Sequence, residues 1–180
     1  MPIDKALLPD WKTVEAELTT HDIEVIKEYA SIIEPPACYV EIGTMHGGGA
    51  LRAASFVKDG VDVYSVDPNH VNLMKAKDSL DKSGIKFIKG CSVDIAKTWT
   101  LSIGTLFIDG DHRQAKQDFE AWKDYVVPGG HILFHDYAIH SPEVIKDCID
   151  LLFMRPKYEA LMAPQLSPRI ASSIFVVRKN

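Results

Sequence analysis

TLFIDGDHRQAKQDFEAWKDYVVPGGHILFHDY, residues 105–137, decides the fold. Two short apolar runs, TLFID and HILFHDY, flank a segment in which Ala115, Phe119, Trp122 and Val126 recur at helical spacing. An apolar run of four or five residues closed by turn signals suits a strand buried on both faces, so strand, helix and strand here make a parallel unit. The predicted helix runs through Val126 and Val127, and Pro128-Gly129-Gly130 stops it and turns the chain into the second strand. Each apolar run ends in acidic and imidazole side chains. In open parallel sheets the carboxyl ends of the strands face one crevice, so Asp109, Asp111, His112, His135 and Asp136 are expected to share a mouth.

Outward from that unit, the amino-terminal half supplies the same pattern. CYVEI (38–42) reads as the first core strand and runs into the glycine-rich turn GTMHGGGA, then into the helical LRAASFV. Gly43, Gly47, Gly48 and Gly49 allow positive φ and close approach of a ligand, and the following helix start offers free amides. The glycines serve equally to pack helix against strand. They do not form a GxGxxG, and no Gly-Lys-Ser/Thr follows, so neither a dinucleotide fingerprint nor a phosphate loop is present. VDVYSVDP (61–68) is the second strand, ending in Asp67, 24 positions after Gly43. That offset is near the ~20 residues at which a strand-end acid binds a ribose diol, although an Asp before Pro68 and a helical run also reads as a helix cap. IKFIKGCSVD supplies a third strand, followed by Cys91 and Ser92.

At the ends of the chain the reading is coarser. Residues 1–18 suggest a loop and short helix over the domain, and Thr20 is a candidate cap for a helix carrying Ile23, Ile26, Ala30 and Ile33 that stops at Pro35 and Pro36. Ser141, Pro142 and Glu143 begin another, with Ile145, Cys148, Ile149 and Leu152 as its apolar stripe. KYEALMAP and SSIFVVRKN lack a crossover helix between them, so they are expected to form a hairpin.

Composition narrows the class. The chain has 180 residues, 46% hydrophobic and 25% charged, which suits one globular domain with a full core. A net charge of −5 and a pI near 5.8, with scattered basic residues, give no footprint for nucleic acid. Cys38, Cys91 and Cys148 are odd in number and lack CxxC spacing, so they read as reduced structural thiols. No apolar run approaches ~20 residues and MPIDKALLPD lacks a signal-peptide core, which makes a cytoplasmic protein without a membrane partner the expectation.

Strand-EIGTxxGG-helix, strand-VDP, strand-GCS, strand-FIDGDH, helix-PGG and strand-FHDY, in this order, resemble the class I S-adenosylmethionine-dependent methyltransferases. FIDGDH followed by VVPGGHILFHDY is similar, more narrowly, to the metal-dependent O-methyltransferases that tailor sugars, macrolides and cephalosporins. The resemblance spans residues 36–178 and implies a three-layer α/β, Rossmann-like fold with a seven-stranded, mostly parallel sheet and an antiparallel carboxy-terminal hairpin strand. It implies one methyltransferase domain over 1–180, with 1–35 a helical lid and 36–180 the cofactor-binding core. It also implies S-adenosylmethionine at Glu41, Gly43, Thr44, Met45, Gly47, Asp67, Ser92 and Asp109: the glycine loop around the methionine part, Asp67 on the ribose and Ser92 at the adenine. Asp109, His135 and Asp136 fall at the family's metal positions, and either His112 or Asp111 at that of the general base.

One departure stands out. Relatives often carry two acids where this chain has His135-Asp136. An imidazole removes one negative charge, and magnesium prefers oxygen ligands, so the site is open to Mg²⁺, to a softer divalent ion, or to an acid–base role without metal. An imidazole with an ordinary pKa near 6.5 suits His112 as a base at neutral pH. His46 and His140 border the same mouth or lie on the surface. The expected activity is O-methylation of a hydroxylated small molecule or sugar. The other reading is a non-catalytic S-adenosylmethionine-binding module acting as a partner or regulator, motivated by the short segment before the first core strand. Trp11 and Leu8 in that segment point to self-association as a homo-oligomer.

Overall fold

In the computed structural model, residues 3–136, 157–162 and 174–180 are described. The first strand, β1 (Cys38–Ile42), is buried at every position. The next elements alternate with it as the sequence pattern requires: α2 (Gly48–Phe56), β2 (Val63–Asp67), α3 (His70–Leu80), β3 (Lys86–Lys89), α4 (Ser92–Ala96), β4 (Ile103–Ile108), α5 (Ala115–Trp122) and β5 (Val126–Phe134), with α1 (Thr20–Ser31) ahead of them. Strands β1 to β5 pair in parallel, because each helix carries the chain back to the starting edge.

Sheet order is β3-β2-β1-β4-β5-β7-β6, with β6 (Tyr158–Met162) and β7 (Phe175–Lys179) closing the far edge. Both of these pair antiparallel: β7 with β5, and β6 with β7. The expected seven-stranded sheet with an antiparallel carboxy-terminal hairpin is therefore present. The chain steps outward from β1 to β3, then returns to place β4 on the other side of β1. That reversal between β1 and β4 opens a crevice at the strand ends.

Alternate residues of each strand serve different layers. Val40, Ile42, Leu106, Ile108 and Phe134 face Phe119 and Trp122 of α5, while Tyr39, Phe107 and Leu133 face Val25, Ile26 and Ala30 of α1 and Leu51 and Ala54 of α2. Two apolar layers, one on each side of the sheet, make the expected three-layer sandwich.

Several local expectations are corrected. Thr19, not Thr20, caps α1: its hydroxyl accepts from Asp22 N at 3.2 Å, and Thr19 N donates to Asp22 Oδ2 at 2.8 Å, a reciprocal capping box. The described residues 3–18 form two 3₁₀ turns, Lys5–Leu7 and Trp11–Thr13, capped by Asp4 and Asp10, without an α-helix. The predicted long helix after Asp111 breaks into a 3₁₀ turn (His112–Gln114), α5 and a second 3₁₀ turn (Lys123–Tyr125). Pro128-Gly129-Gly130 lies inside β5: Val126 pairs with Ile103, the chain bulges, and pairing resumes at His131 with Thr105. Trp11 packs edge-on to Phe56 at 6.2 Å with the Arg52 guanidinium 5.3 Å from its centre, and Leu8 joins the same cluster. Both side chains are partly buried against this cluster. Among the described residues, no helix is long and apolar enough to cross a membrane. His140 and the helix expected from Ser141 through Leu152 lie outside the described residues.

Candidate functional site

A cavity of about 530 Å³ sits over the carboxyl ends of the parallel strands. Glu41, Gly43, Thr44, Met45, Asp67, Ser92, Asp109, Asp111, His112, His135 and Asp136 all line it, so residues scattered through the chain meet where the strand order reverses. Of the site residues expected from sequence, Gly47 alone is absent from the lining. It takes φ 80° at the start of α2, and a Cβ there would come within 2.8 Å of Leu80 and 3.0 Å of Ala76, so it packs the turn against α3. Gly43 has a different task. With φ 98°, a Cβ would stand 2.3 Å from the carbonyl oxygen of Asp109, and only glycine lets the loop after β1 close against the end of β4.

Below this loop lies a buried polar chain. Thr44 Oγ1 lies 2.8 Å from Ser65 Oγ, and Ser65 Oγ donates to Glu41 Oε2 at 2.7 Å. Burial pushes the Glu41 carboxyl up to about 8 against the pull of the Ser65 hydroxyl, with the charge on Asp109 adding to the rise. Asp67 ends β2 and accepts from Asn69 N on one oxygen, at 2.7 Å, and from Thr44 N and Asn72 Nδ2 on the other, at 3.0 and 3.3 Å. Asn69, not Asp67, caps α3, accepting from Val71 N at 2.9 Å. The helix-cap reading of Asp67 is therefore set aside, and its carboxylate faces the cavity.

Across the cavity is an acid–imidazole cluster. Asp109 Oδ1 is 2.7 Å from His135 Nδ1, and Asp136 Oδ2 is 3.6 Å from the same nitrogen. His135 Nε2 lies 3.7 Å from Asp22 Oδ2, on α1. Asp109 is the closest of the three carboxylates to the imidazole. Burial alone pulls the imidazole down, but Asp109 and Asp22 outweigh it and His135 is pushed up to about 10, a cation in the metal-free chain. Asp22, fully buried, is held well below the usual carboxylate range by His135 and Thr19 although burial opposes it. Burial pushes Asp109 up, with His135 pulling the other way.

His112 Nε2 sits 2.9 Å from Asp136 Oδ2, and Asp136 takes φ 54°. Met45 at the opposite lip also has positive φ, 46°. Such backbone is sparsely populated and collects at functional sites, where it costs about 1–3 kcal/mol per residue. Asp111 differs from His112 in its commitments: Arg113 pairs with it at 3.1 and 3.3 Å, Gln114 donates to it at 3.1 Å, and these partners hold it down to about 2.

A divalent ion fits the donor set. One atom each from Asp109, His135 and Asp136 lie within 4.8 Å of one another, about the span across an ion with bonds of 2.0–2.4 Å, and an ion entering there would displace the proton from His135 Nδ1. Asp22 behind the other ring nitrogen is the kind of outer carboxylate that orients an imidazole ligand.

Sequence reasoning missed Asp22, Asn72, Asp118 and the strap of Glu15, Ala16, Glu17 and Leu18 that closes one side. Glu15 Oε2 is 3.2 Å from His46 Nδ1, which ties the strap to the glycine loop. Asp118 is buried on the first turn of α5, and its rise, caused by burial, is opposed by a hydrogen bond from Ser92. The signal that could have drawn attention to Asp22 is the Thr-x-x-Asp spacing from Thr19, which marks a helix start, but nothing in the sequence points Asp22 toward His135.

Residues 40–137, more than half of the chain, match the family model for a methyltransferase domain. Uncharacterized protein R132 of Acanthamoeba polyphaga mimivirus is 35% identical over 122 residues, covering 59% of this chain and 55% of that protein, so the match spans just over half of that relative's length. Among solved structures, the O-methyltransferase from Bacillus cereus in complex with SAH superposes with TM-score 0.71 at 16% identity, over 97% of this chain and 86% of that one. TomG, the O-methyltransferase from Streptomyces achromogenes in complex with SAM, gives TM-score 0.66 at 12% identity over 93% and 92%. At these identities the likeness establishes a shared fold.

Proposed function

The chain belongs to the methyltransferase-domain family whose model it matches, and we propose that it is a class I S-adenosylmethionine-dependent methyltransferase acting on a hydroxyl of a small molecule. The observation that carries this reading is the meeting of the Gly43 loop, Asp67 and the Asp109, His135, Asp136 cluster around one cavity. Its volume suits a nucleoside-sized ligand with a small acceptor beside it. The whole of 1–180 is read as one domain, with residues 15–18 closing the cavity where a longer lid was expected.

S-adenosylmethionine supplies a methyl group on a positively charged sulfur. As the bond from carbon to the acceptor oxygen forms, the bond to sulfur breaks, the sulfonium becomes a neutral thioether and the hydroxyl proton must leave. Asp67 would hold the ribose: of the ~four lone-pair sites of a carboxylate, three are occupied here, which leaves one on the cavity-facing side for a ribose hydroxyl. Asp67 on the cavity lining would place negative charge beside the sulfonium, whereas Glu41, raised to about 8, holds its proton at neutral pH. His112 takes the hydroxyl proton, oriented by Asp136 at 2.9 Å. Asp111 is the poorer base, because its lone pairs are committed to Arg113 and Gln114.

A divalent ion held by Asp109, His135 and Asp136 would acidify a bound acceptor hydroxyl and align it. His135 favours a borderline ion such as Mn²⁺ or Co²⁺ over Mg²⁺.

The test is methyl transfer from labelled S-adenosylmethionine to a panel of hydroxylated acceptors, with and without EDTA. Turnover abolished by Asp109→Asn and by EDTA supports the full reading. Turnover indifferent to EDTA discards the metal, and cofactor binding without turnover on any acceptor leaves a binding module.

A further inference from the structure

We infer that residues 14–18 form a movable clasp that retains the bound cofactor, and that Gly48 and Arg52 of α2 hold it shut. The inference rests on the S-adenosylmethionine reading above and assigns Arg52, which that reading leaves unused, as a positioning residue.

Val14 and Leu18, at the two ends of this strap, pack against the apolar layer shared by α1 and α2. Between them Glu15, Ala16 and Glu17 line the cavity. Among the described residues, the strap makes no backbone-to-backbone hydrogen bond. A segment without such bonds opens at low cost, so the contacts along its middle decide whether it stays down.

Those contacts come from the glycine loop and α2. Gly48 lies outside the left-handed region, so its backbone would accept an alanine. A Cβ there, however, would stand 2.3 Å from the Glu15 carbonyl oxygen and 2.7 Å from Ala16 Cβ, so it is the seated strap that requires glycine. One turn later Arg52, 6% exposed, donates from one terminal nitrogen to the carbonyls of Gly48 at 2.8 Å and Val14 at 3.4 Å. That nitrogen staples strap to helix, and the Trp11 ring centre, 5.3 Å from the guanidinium, steadies it. Glu15 Oε2, 3.2 Å from His46 Nδ1, adds a tie to the loop itself. Gly48 follows the loop of Gly43, Thr44 and Met45, and all four line the cavity beside the strap. A ligand lodged on that loop is released past the strap, and Arg52, outside the lining, acts on it only through the strap.

The experiment is surface plasmon resonance with S-adenosylhomocysteine over the immobilised chain, joined to hydrogen exchange of the ligand-free and saturated protein. In wild type, saturation is expected to slow exchange across residues 14–18. Gly48→Ala adds a methyl group that meets the strap, while alanine is the better helix former, so α2 itself does not suffer. It should speed dissociation by at least about 10-fold and leave the association rate within about threefold, since a clasp acts chiefly on release. It should also raise exchange across 14–18 in the ligand-free protein. Arg52→Met should do the same, and Arg52→Lys, which keeps a donor and the charge, should recover part of the loss. Unchanged dissociation from Gly48→Ala overturns the inference, as does strap exchange in wild type that is indifferent to saturating ligand. Failure of wild type to bind S-adenosylhomocysteine removes the S-adenosylmethionine reading and the retention inferred from it, a result distinct from unchanged release of a ligand that does bind.

Discussion

His112 and His135 lie in one cavity with opposite assignments. Among the described residues, His112 faces the cavity with a single carboxylate partner, whereas His135 is buried among Asp22, Asp109 and Asp136. Replacement of His112 by Ala should lower turnover about 10²–10⁴-fold, the usual worth of a positioned base, while leaving S-adenosylhomocysteine affinity near that of wild type. Turnover that survives His112→Ala would move the base elsewhere. His135 is the group for stability. Its folded value is raised to about 10, so its contribution is complete below the ordinary imidazole value of 6.5 and is lost as pH rises from there through 10. Glu41, raised to about 8, has the same sign: the folded chain holds its proton between 4.5 and 8, and stability falls as pH climbs through that window. Asp22, lowered from 3.8, contributes above that value and is lost as acid protonates it. The metal-free protein is therefore expected to melt at lower temperature at pH 9 than at pH 6, and His135→Gln should flatten that slope. A melting temperature that rises over the same range would contradict the charge assignments.

At the scale of elements, the two faces of each loop and helix do separate jobs. Gly43→Ala should destabilise by at least about 1–3 kcal/mol in chemical denaturation, since it combines an unfavourable φ with a Cβ pressed 2.3 Å from the Asp109 carbonyl oxygen. Thr19→Ala removes the capping box of α1 and should cost about 1 kcal/mol in the same measurement. The strands were legible in the sequence because runs such as CYVEI and TLFID are buried on both faces and end at turn residues. The helix after Asp111 was less so. Val126 and Val127 continue an apolar pattern that suits either a helix end or a strand start, and only pairing with Ile103 decides it. Thr19 and Thr20 are equal candidates as caps until Asp22 folds back onto one of them.

On the scale of the molecule, a sheet whose strand order reverses between β1 and β4 accounts for the site: residues from five strand ends, spread from Glu41 to Asp136 in the sequence, converge. This convergence was readable, since strand-end polar residues in a parallel sheet must face one side. The partnerships across elements were not. Asp22 reaching His135, or Asp118 reaching Ser92, requires the packing of α1 and α5 on opposite faces, which no local pattern encodes. The excess of carboxylates on the cavity lining suits a cationic methyl donor. The measurement that bears most directly on this account is calorimetric titration of the protein and its Asp67→Ala variant with S-adenosylhomocysteine. One-to-one binding that weakens about 10-fold or more in the variant, as loss of a charged hydrogen-bond acceptor should cause, is the expected result. Absence of binding by the unaltered chain at millimolar ligand would contradict it.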